Sequence, residues 1–221
     1  MPSTRMATAA ILRDQLVRAQ NYLAKQAQPE NGKPFDRDLR LESLARVLQG
    51  EIPLRLHAHR ADDIMTAIRI ADEFGFRLTI EHATEAYKVA DELSRRDIPV
   101  MVGPLMTART KVELRDRTTR TPGMLAQAGV KVAIVTDHWV VPVNLLMLSV
   151  IVAVRDGMCP DEALRAVTIN PAEIMGVGAR LGSLTPGKDA DLQILSGPPL
   201  EALSRVEQVY VNGAKVYEYT A

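Results

Sequence analysis

Five side chains that could bind a metal ion or move a proton stand where apolar segments of the sequence end. They are His57 and His59 after residues 52–56, His82 after residues 77–81, and Asp137 and His138 after residues 132–136. Imidazole and carboxylate groups are common ligands of Zn²⁺ and similar divalent ions. Carboxyl ends of parallel strands meet at one edge of a sheet, and active sites of parallel barrels lie there. The pattern therefore predicts a metal or catalytic site.

Each of these residues, taken alone, has a structural alternative. A single strand-end histidine is about as often a partner for loop backbone as a ligand. A buried carboxylate at the position of Asp137 would be costly unless it binds a metal ion or accepts hydrogen bonds. The hydrogen bonds could be those of a helix cap or a loop anchor, which is the structural alternative to a metal site. Three of four consecutive predicted strands end in His or Asp, however, and this conjunction favours a site. His57 and His59 are two apart and share one face of a strand, with His57 the better inward candidate.

The elements that must position these residues alternate along the chain. Predicted strands at 53–57, 77–81, 98–102 and 131–136 are followed by helices near 61–74, 85–95, 121–128 and 143–156. Two helices precede them, separated by a polar loop at 28–38, and two short helices follow near 160–168 and 171–176. Four strand-then-helix units in a row predict a parallel sheet with helical crossovers. Their strands are nearly continuous apolar runs, as expected when both faces are covered.

The sequence changes character after Gly178. Residues 186–189 (Pro-Gly-Lys-Asp) indicate a turn, and residues 191–195 read as a strand. Two further strand-like runs flank Asn212-Gly213, a pair typical of a two-residue hairpin turn. The C-terminal segment is therefore predicted to be a small antiparallel β unit.

The composition is that of a water-soluble protein and excludes several classes of partner. The chain has 221 residues, is 47% hydrophobic and 24% charged, and has a formal net charge of zero. A neutral balance disfavours nucleic acid and anionic membranes as partners. The longest apolar stretch, Leu145–Val154, is about half of a membrane span of roughly 20 residues. With a single cysteine and no recognisable leader pattern, we expect a cytoplasmic protein.

At this point the motifs resemble a known family. They are Leu56-His-Ala-His-Arg-Ala-Asp-Asp-Ile, Ile80-Glu-His-Ala-Thr-Glu, Val135-Thr-Asp-His, Thr168-Ile-Asn-Pro-Ala and Gly182-Ser-Leu-Thr-Pro-Gly-Lys-Asp-Ala-Asp-Leu. In this order they look like the second half of the metal-dependent amidohydrolases, with closest similarity to the imidazolonepropionase- and prolidase-like branch. The resemblance covers nearly the whole chain.

The resemblance implies roles for the strand-end residues. His57 is similar to the fifth-strand metal ligand, His82 to the sixth-strand ligand, and Asp137 to an eighth-strand carboxylate that contacts the metal and acts as general base. A divalent metal, most often zinc, is implied as cofactor. His59 and His138 resemble flanking residues of this branch, and they, Arg60 and Thr84 could support the ligands or contact the substrate. The implied reaction is hydrolysis of amide, cyclic amide or peptide-like C–N bonds in a small molecule.

Part of the family pattern is not found in this sequence. The family carries a His-x-His pair on its first strand and usually a bridging lysine or glutamate on its fourth, whereas no histidine precedes His57. A complete (β/α)₈ barrel takes about 250 residues. We therefore expect an α/β fold that is the C-terminal half of a TIM-type barrel over residues 1–178, with a piece of the companion β-sandwich over residues 179–221. The chain would then be a truncated portion of a longer enzyme.

Such a half-barrel has consequences for partners and activity. Open sheet edges invite pairing with another chain, so we expect self-association into a homo-oligomer or pairing with the missing N-terminal half. Metal affinity should be weak and catalysis slight or absent in this chain alone. The alternative function is therefore a catalytically inactive remnant that acts only through association. A doubly wound binding domain is a third reading, weakened because no Gly-rich phosphate loop follows any predicted strand.

Overall fold

The computed structural model describes residues 2–27 and 36–220, so most of the predicted loop at 28–38 lies outside the described residues. In the described residues the α-helices are α1 (Arg5–Ala27), α2 (Leu39–Leu48), α3 (Ala61–Phe74), α4 (Ala90–Arg95), α5 (Thr121–Gln127), α6 (Leu146–Arg155), α7 (Pro160–Arg165) and α8 (Ile169–Ile174). The strands are β1 (Leu54–Ala58), β2 (Leu78–His82), β3 (Val100–Val102), β4 (Val132–Ile134), β5 (Leu192–Leu195), β6 (Val206–Val211) and β7 (Ala214–Glu218). Short 3₁₀ helices occupy Ala86–Val89, Val112–Leu114 and Val143–Leu145.

The larger sheet has the strand order β1-β2-β3-β4. Strands β2, β3 and β4 pair in parallel, with Ile80 opposite Val100 and Val100 opposite Val132. These three side chains are almost completely buried and form one row across the sheet. Every residue of β3 and β4 is buried, as the apolar runs predicted. The predicted mixed α/β fold with a parallel sheet is confirmed, and its assignment to half of a barrel stays a prediction.

The chain divides into two compact units. The first comprises the described residues up to Leu56 together with Asp62–Thr79. The second comprises His57–Ala61 and the described residues from Ile80 onward, so every predicted site residue belongs to it. The predicted boundary at residue 178 concerns a different division and stays a prediction.

The first unit is built around three helices. Leu16 of α1 and Ile64 and Ile68 of α3 are fully buried. Ion pairs join α1 to α3, with 2.9 Å between Arg5 Nε and Asp63 Oδ2 and 2.6 Å between Arg13 Nε and Glu73 Oε2. Exposed pairs of this kind contribute no more than about 1 kcal/mol each, so burial of apolar side chains is the main source of stability here.

In the second unit, helices pack against the parallel strands. The Asn170 side-chain amide of α8 donates to the Val132 carbonyl of β4 at 2.9 Å, and the Ile134 amide donates to Ala166 O at 2.9 Å. Both bonds fix the C-terminal helices against β4. Since Asn170 is buried, this bond satisfies a polar group that would otherwise be costly to bury.

The small sheet has the antiparallel order β5-β6-β7, and the predicted hairpin at Asn212-Gly213 joins β6 to β7. Asn212 and Gly213 both have positive φ, which the two-residue turn requires. No residue of the three strands is buried, and every residue of β7 is exposed. The predicted antiparallel unit is therefore present, with little core of its own.

Several predicted elements differ in extent. The third strand begins at Val100 rather than 98, because the Ile98 amide donates to Leu93 O at 3.0 Å and ends helix α4. The fourth ends at Ile134 rather than 136. Two predicted helices begin as 3₁₀ turns before α4 and α6. No helix among the described residues is long and apolar enough to cross a membrane.

Candidate functional site

Three imidazoles converge where β1 and β2 end. The ring centroids are 4.1 Å apart between His57 and His82, 4.8 Å between His57 and His59, and 5.0 Å between His59 and His82. His59 and His82 are buried, whereas His57 is exposed. The sequence favoured His57 as the inward side chain, but it is His59, just after the last residue of β1, that is enclosed.

The orientation of His82 is fixed by its neighbour in the sheet. Its Nδ1 lies 2.8 Å from the carbonyl oxygen of Gly103, which follows β3. A carbonyl only accepts, so Nδ1 carries the proton, and in the neutral ring Nε2 holds the free lone pair. The backbone supports this placement through positive φ angles of 67° at His82 and 49° at Ala83. Non-glycine residues seldom adopt this region, and such strain is concentrated at functional sites.

Gly103 permits the close approach of neighbouring strand ends. Its φ is 151°, and a Cβ placed there would lie 1.9 Å from Val135 O. No side chain fits in that space, so glycine is required on steric grounds. No motif in the sequence pointed to Gly103. Its actual role is to bring its own carbonyl to His82.

His59 is held through Nδ1 and faces a carboxylate on its other side. Its Nδ1 lies 2.8 Å from the hydroxyl oxygen of Thr84, a contact between two buried side chains. Its Nε2 faces Glu113 Oε1 at 3.8 Å. Thr84, predicted as a supporting or substrate-contacting residue, therefore contacts the histidine cluster directly, and Glu113 approaches the same ring from the far side.

Burial and neighbouring charge favour the neutral rings of His57 and His59. Burial, together with the charges that His82 and His57 would carry, lowers the pKa of His59 to about 4. The pKa of His57 is also lowered, first by partial burial and then by His82. Neutral imidazoles with a defined tautomer fit a divalent ion, which binds the unprotonated nitrogen. The lowered pKa of His57 and the fixed tautomer of His82 therefore fit the binding of a metal ion.

Asp137 and His138 lie on the turn that follows β4, and both are exposed. Asp137 has a φ of 51°, and its carbonyl oxygen accepts from the Val140 amide at 2.7 Å. His138 Nδ1 accepts from the Val143 amide at 3.1 Å, so its ring supports the local turn. The charge of Asp137 raises the pKa of His57, but burial and the charge of His82 have larger effects and lower it.

The three predicted metal ligands do not form a complete set of ligands in this structure. Within residues 2–27 and 36–220, no group of three or more His, Cys, Asp or Glu side chains is arranged to hold a metal ion. The rings of His57 and His82 are in contact, and the charge of Asp137 raises the pKa of His57. The assignment of Asp137 as ligand and general base stays a prediction.

The comparison with known proteins identifies the family. Residues 41–216 match the sequence profile of the amidohydrolase family. The chain belongs to the amidohydrolase family. The predicted resemblance is thereby confirmed, and the three converging histidines lie within the matched part of this amidohydrolase.

Individual relatives agree with this assignment. The amidohydrolase chain is 26% identical over 185 residues to amidohydrolase tasK of Hapsidospora irregularis, covering 82% of this chain and 19% of the relative. It is 30% identical over 191 residues to an imidazolonepropionase of Streptococcus pyogenes serotype M12, covering 69% and 43%. The crystal structure of an amidohydrolase from Thermotoga maritima superposes with a TM-score of 0.95 at 48% identity, covering 99% of this chain and 57% of that one.

The coverage is asymmetric. This amidohydrolase chain spans less than two thirds of the length of each of these three relatives. The similarity therefore establishes the family and the fold of the shared part.

Two residues that sequence reasoning missed complete the surroundings of the site in this amidohydrolase. Glu85, buried after β2, accepts from the Ala61 amide at 3.0 Å through Oε2, and its own amide donates to His59 O at 2.8 Å. It thereby links the segment that carries His59 to the start of α3. Glu113 is 54 positions after His59 in sequence, and no local spacing pattern relates them. Arg60, predicted as a possible substrate contact, is partly buried beside this link.

Proposed function

We propose that this chain contributes to metal-dependent hydrolysis of C–N bonds in small molecules with amide, cyclic amide or peptide-like groups. The observation that carries the proposal is the convergence of His57 and His82, with ring centroids 4.1 Å apart, in a chain of the amidohydrolase family. The relatives named amidohydrolase and imidazolonepropionase support the same class of reaction.

The proposed metal-holding residues are His57 and His82, with Asp137 as the carboxylate. We propose that the divalent ion is zinc. It would supply Lewis acidity and lower the pKa of a bound water toward about 7. His82 is suited to its role because its Nδ1–H is engaged by Gly103 O, which leaves the lone pair of the neutral ring on Nε2. Asp137 would take up the proton of the attacking water and pass it to the leaving amine.

The other residues act around this centre. Thr84 holds the ring of His59 at 2.8 Å, and His59 packs against both proposed ligands. We assign His59 and Thr84 to positioning the ligands, and His138 and Arg60 to the substrate side. The exposed Cys159 has no disulfide partner in the chain, which suits a reducing, cytoplasmic compartment.

The proposed metal site needs further ligands in addition to His57, His82 and Asp137. We propose that they come from strands that precede β1 in the complete barrel, so metal affinity of this chain alone is weak. Strands β1 and β4 are the edges of the parallel sheet in the described chain. Either a second copy or the missing N-terminal half would pair there, because exposed edges present unpaired backbone groups.

Zinc binding and turnover test the main proposal. Protein prepared with EDTA is titrated with Zn²⁺ by isothermal calorimetry, as wild type and as the His57→Ala, His82→Ala and His138→Ala variants. We expect binding to be lost in the first two variants and kept in the third, whose ring lies on the exposed turn. Release of amines from N-acyl amino acids, cyclic amides and dipeptides is then measured with zinc present. Equal zinc affinity in all four proteins contradicts the ligand assignment.

The second candidate function is association without catalysis. It is favoured by the open sheet edges and by the full exposure of β7. Light scattering during gel filtration at micromolar concentration distinguishes the cases. A dimer or larger assembly with no amine release in any assay supports this candidate. A folded monomer contradicts the expected self-association.

A further inference from the structure

A short segment after β3 brings two opposite charges to the histidine cluster. Glu113 Oε1 lies 3.8 Å from His59 Nε2 on one side and 3.7 Å from Lys111 Nζ on the other. Side-chain exposure rises along this line, from 8% for His59 to 33% for Glu113 and 61% for Lys111. The three groups therefore form a path from the buried imidazole to solvent, with the ammonium at its outer end.

The arginines of the same segment are engaged elsewhere. The Arg117 guanidinium donates to the carbonyl oxygens of Leu105 and Thr107. Arg109 donates to Arg117 O at 3.0 Å. These bonds hold the backbone between β3 and α5 in place, so they explain why the segment has a defined position. Neither arginine directs its charge at the imidazoles by these contacts.

Contacts with the 3₁₀ turn after β2 fix the segment at Asp116. Lys88 Nζ lies 2.5 Å from Asp116 Oδ2, and the Tyr87 hydroxyl donates to Asp116 O at 3.3 Å. Arg115 pairs with the same carboxylate at 3.6 Å. Lys111 is thus presented from an anchored segment, and Glu113 lies between its ammonium and the His59 ring, at 3.7 and 3.8 Å.

We propose that Lys111 is a specificity-determining residue that binds a carboxylate of the substrate while the C–N bond faces the histidines. This inference rests on the proposed function and names its substrate class, an amide that carries a nearby carboxylate. Glu113 keeps the ammonium beside the site and competes with the substrate for it. An ammonium–carboxylate contact of this kind is a charge-assisted hydrogen bond, stronger than one between neutral groups.

The test compares two small amides that differ in charge. N-acetylglycine and its neutral counterpart N-acetylglycinamide are titrated into the full chain, with binding read from the imidazole proton signals by NMR. We expect the acid to bind more tightly than the amide. Lys111→Met should weaken binding of the acid about tenfold, the size of one hydrogen bond to a charged group, and leave the amide unchanged. Glu113→Gln should strengthen binding of the acid.

Arg115→Met is the matched control, because Arg115 is a cation on the same segment that is paired with Asp116 and is 70% exposed. It should leave both affinities unchanged. Equal binding of acid and amide by the wild type, or equal binding of the acid by Lys111→Met and wild type, overturns the proposal. Because binding is read without turnover, a charge preference that depends on Lys111 in a protein whose zinc affinity is unchanged by His57→Ala and His82→Ala would support the anion site and refute the proposed metal ligands.

Discussion

The Nδ1–H of His82 donates to the carbonyl oxygen of Gly103 across two adjacent strand ends, at 2.8 Å. The bond ties a side chain of one strand to the backbone of the next, so the direction of the imidazole depends on the sheet rather than on a flexible loop. Residues that orient a ligand in this way are as important to a metal site as the ligand itself. The position of the Gly103 carbonyl therefore determines whether His82 is oriented to act as the proposed metal ligand.

Replacing Gly103 by alanine should disrupt this arrangement. The new Cβ would meet Val135 O at 1.9 Å, and the φ of 151° is unfavourable for alanine. We expect a loss of about 3 kcal/mol or more in the free energy of unfolding, measured by urea denaturation. Gly157→Ala is the control, because Gly157 also has a positive φ (110°) but nothing within 4 Å of the added atom. A loss no larger than that of the control would contradict the steric argument.

Removing the Thr84 hydroxyl should loosen His59. Thr84→Val keeps the shape of the side chain but leaves Nδ1 of a buried imidazole without its partner at 2.8 Å. The expected cost is about 1–3 kcal/mol in unfolding free energy. Thr66→Val removes two exposed hydrogen bonds, from the helix hydroxyl to Asp62 O at 2.9 Å and from Arg69 Nη2 to that hydroxyl at 3.0 Å, and should cost less than about 0.5 kcal/mol. Equal losses of unfolding free energy in the two variants would mean that the buried contact between Thr84 and His59 stabilises the chain no more than an exposed hydrogen bond does.

Stability should fall in acid because of the histidine cluster. The pKa of His59 is about 4 in the folded chain and near 6.5 when unfolded, so only the unfolded chain takes up this proton between those values. Stability is therefore complete above pH 6.5 and declines as the pH falls toward 4, by on the order of 2 kcal/mol. Urea midpoints measured in EDTA across this range provide the test. His59→Gln should flatten the profile relative to His138→Gln, and unchanged slopes in both would refute the assignment.

Glu85 should be needed to hold the segment from His59 to Ala61 in place after β1. Glu85→Ala removes the acceptor of the Ala61 amide and should destabilise the chain by about 1–2 kcal/mol. Glu85→Gln keeps an oxygen for this amide and should lose less than half as much. Thermal unfolding followed by circular dichroism compares the two. If both variants lose the same stability, the charge of Glu85 matters rather than the acceptor.

Much of the fold could be predicted because its signals are local. Apolar runs ending at His82 and Asp137 indicated strands, and Asn212-Gly213 indicated the hairpin, since each depends on residues adjacent in sequence. The ends of strands were less predictable. Val135 still donates to Val102 O at 2.9 Å although β4 ends at Ile134, because the chain turns away while one backbone bond continues.

The site was only partly predictable because its contacts are long-range. The two-residue spacing placed His57 and His59 on one face, but could not show that His59 is the buried one. Nothing near Gly103 in sequence reveals that its carbonyl meets a histidine 21 positions away. Glu113 and Glu85 likewise reach the cluster through the meeting of separate loops. Such contacts depend on the tertiary structure, so the pattern of residues within one segment does not predict them.

The sheet of β5, β6 and β7 has no buried residue, whereas β3 and β4 are buried throughout. A segment that opens without exposing much new apolar surface does so at low free-energy cost. Backbone amides of β6 and β7 should therefore exchange with deuterium far sooner than those of β3. The C-terminal hairpin would then act as a separate cooperative unit, able to detach and re-form while the histidine cluster stays intact.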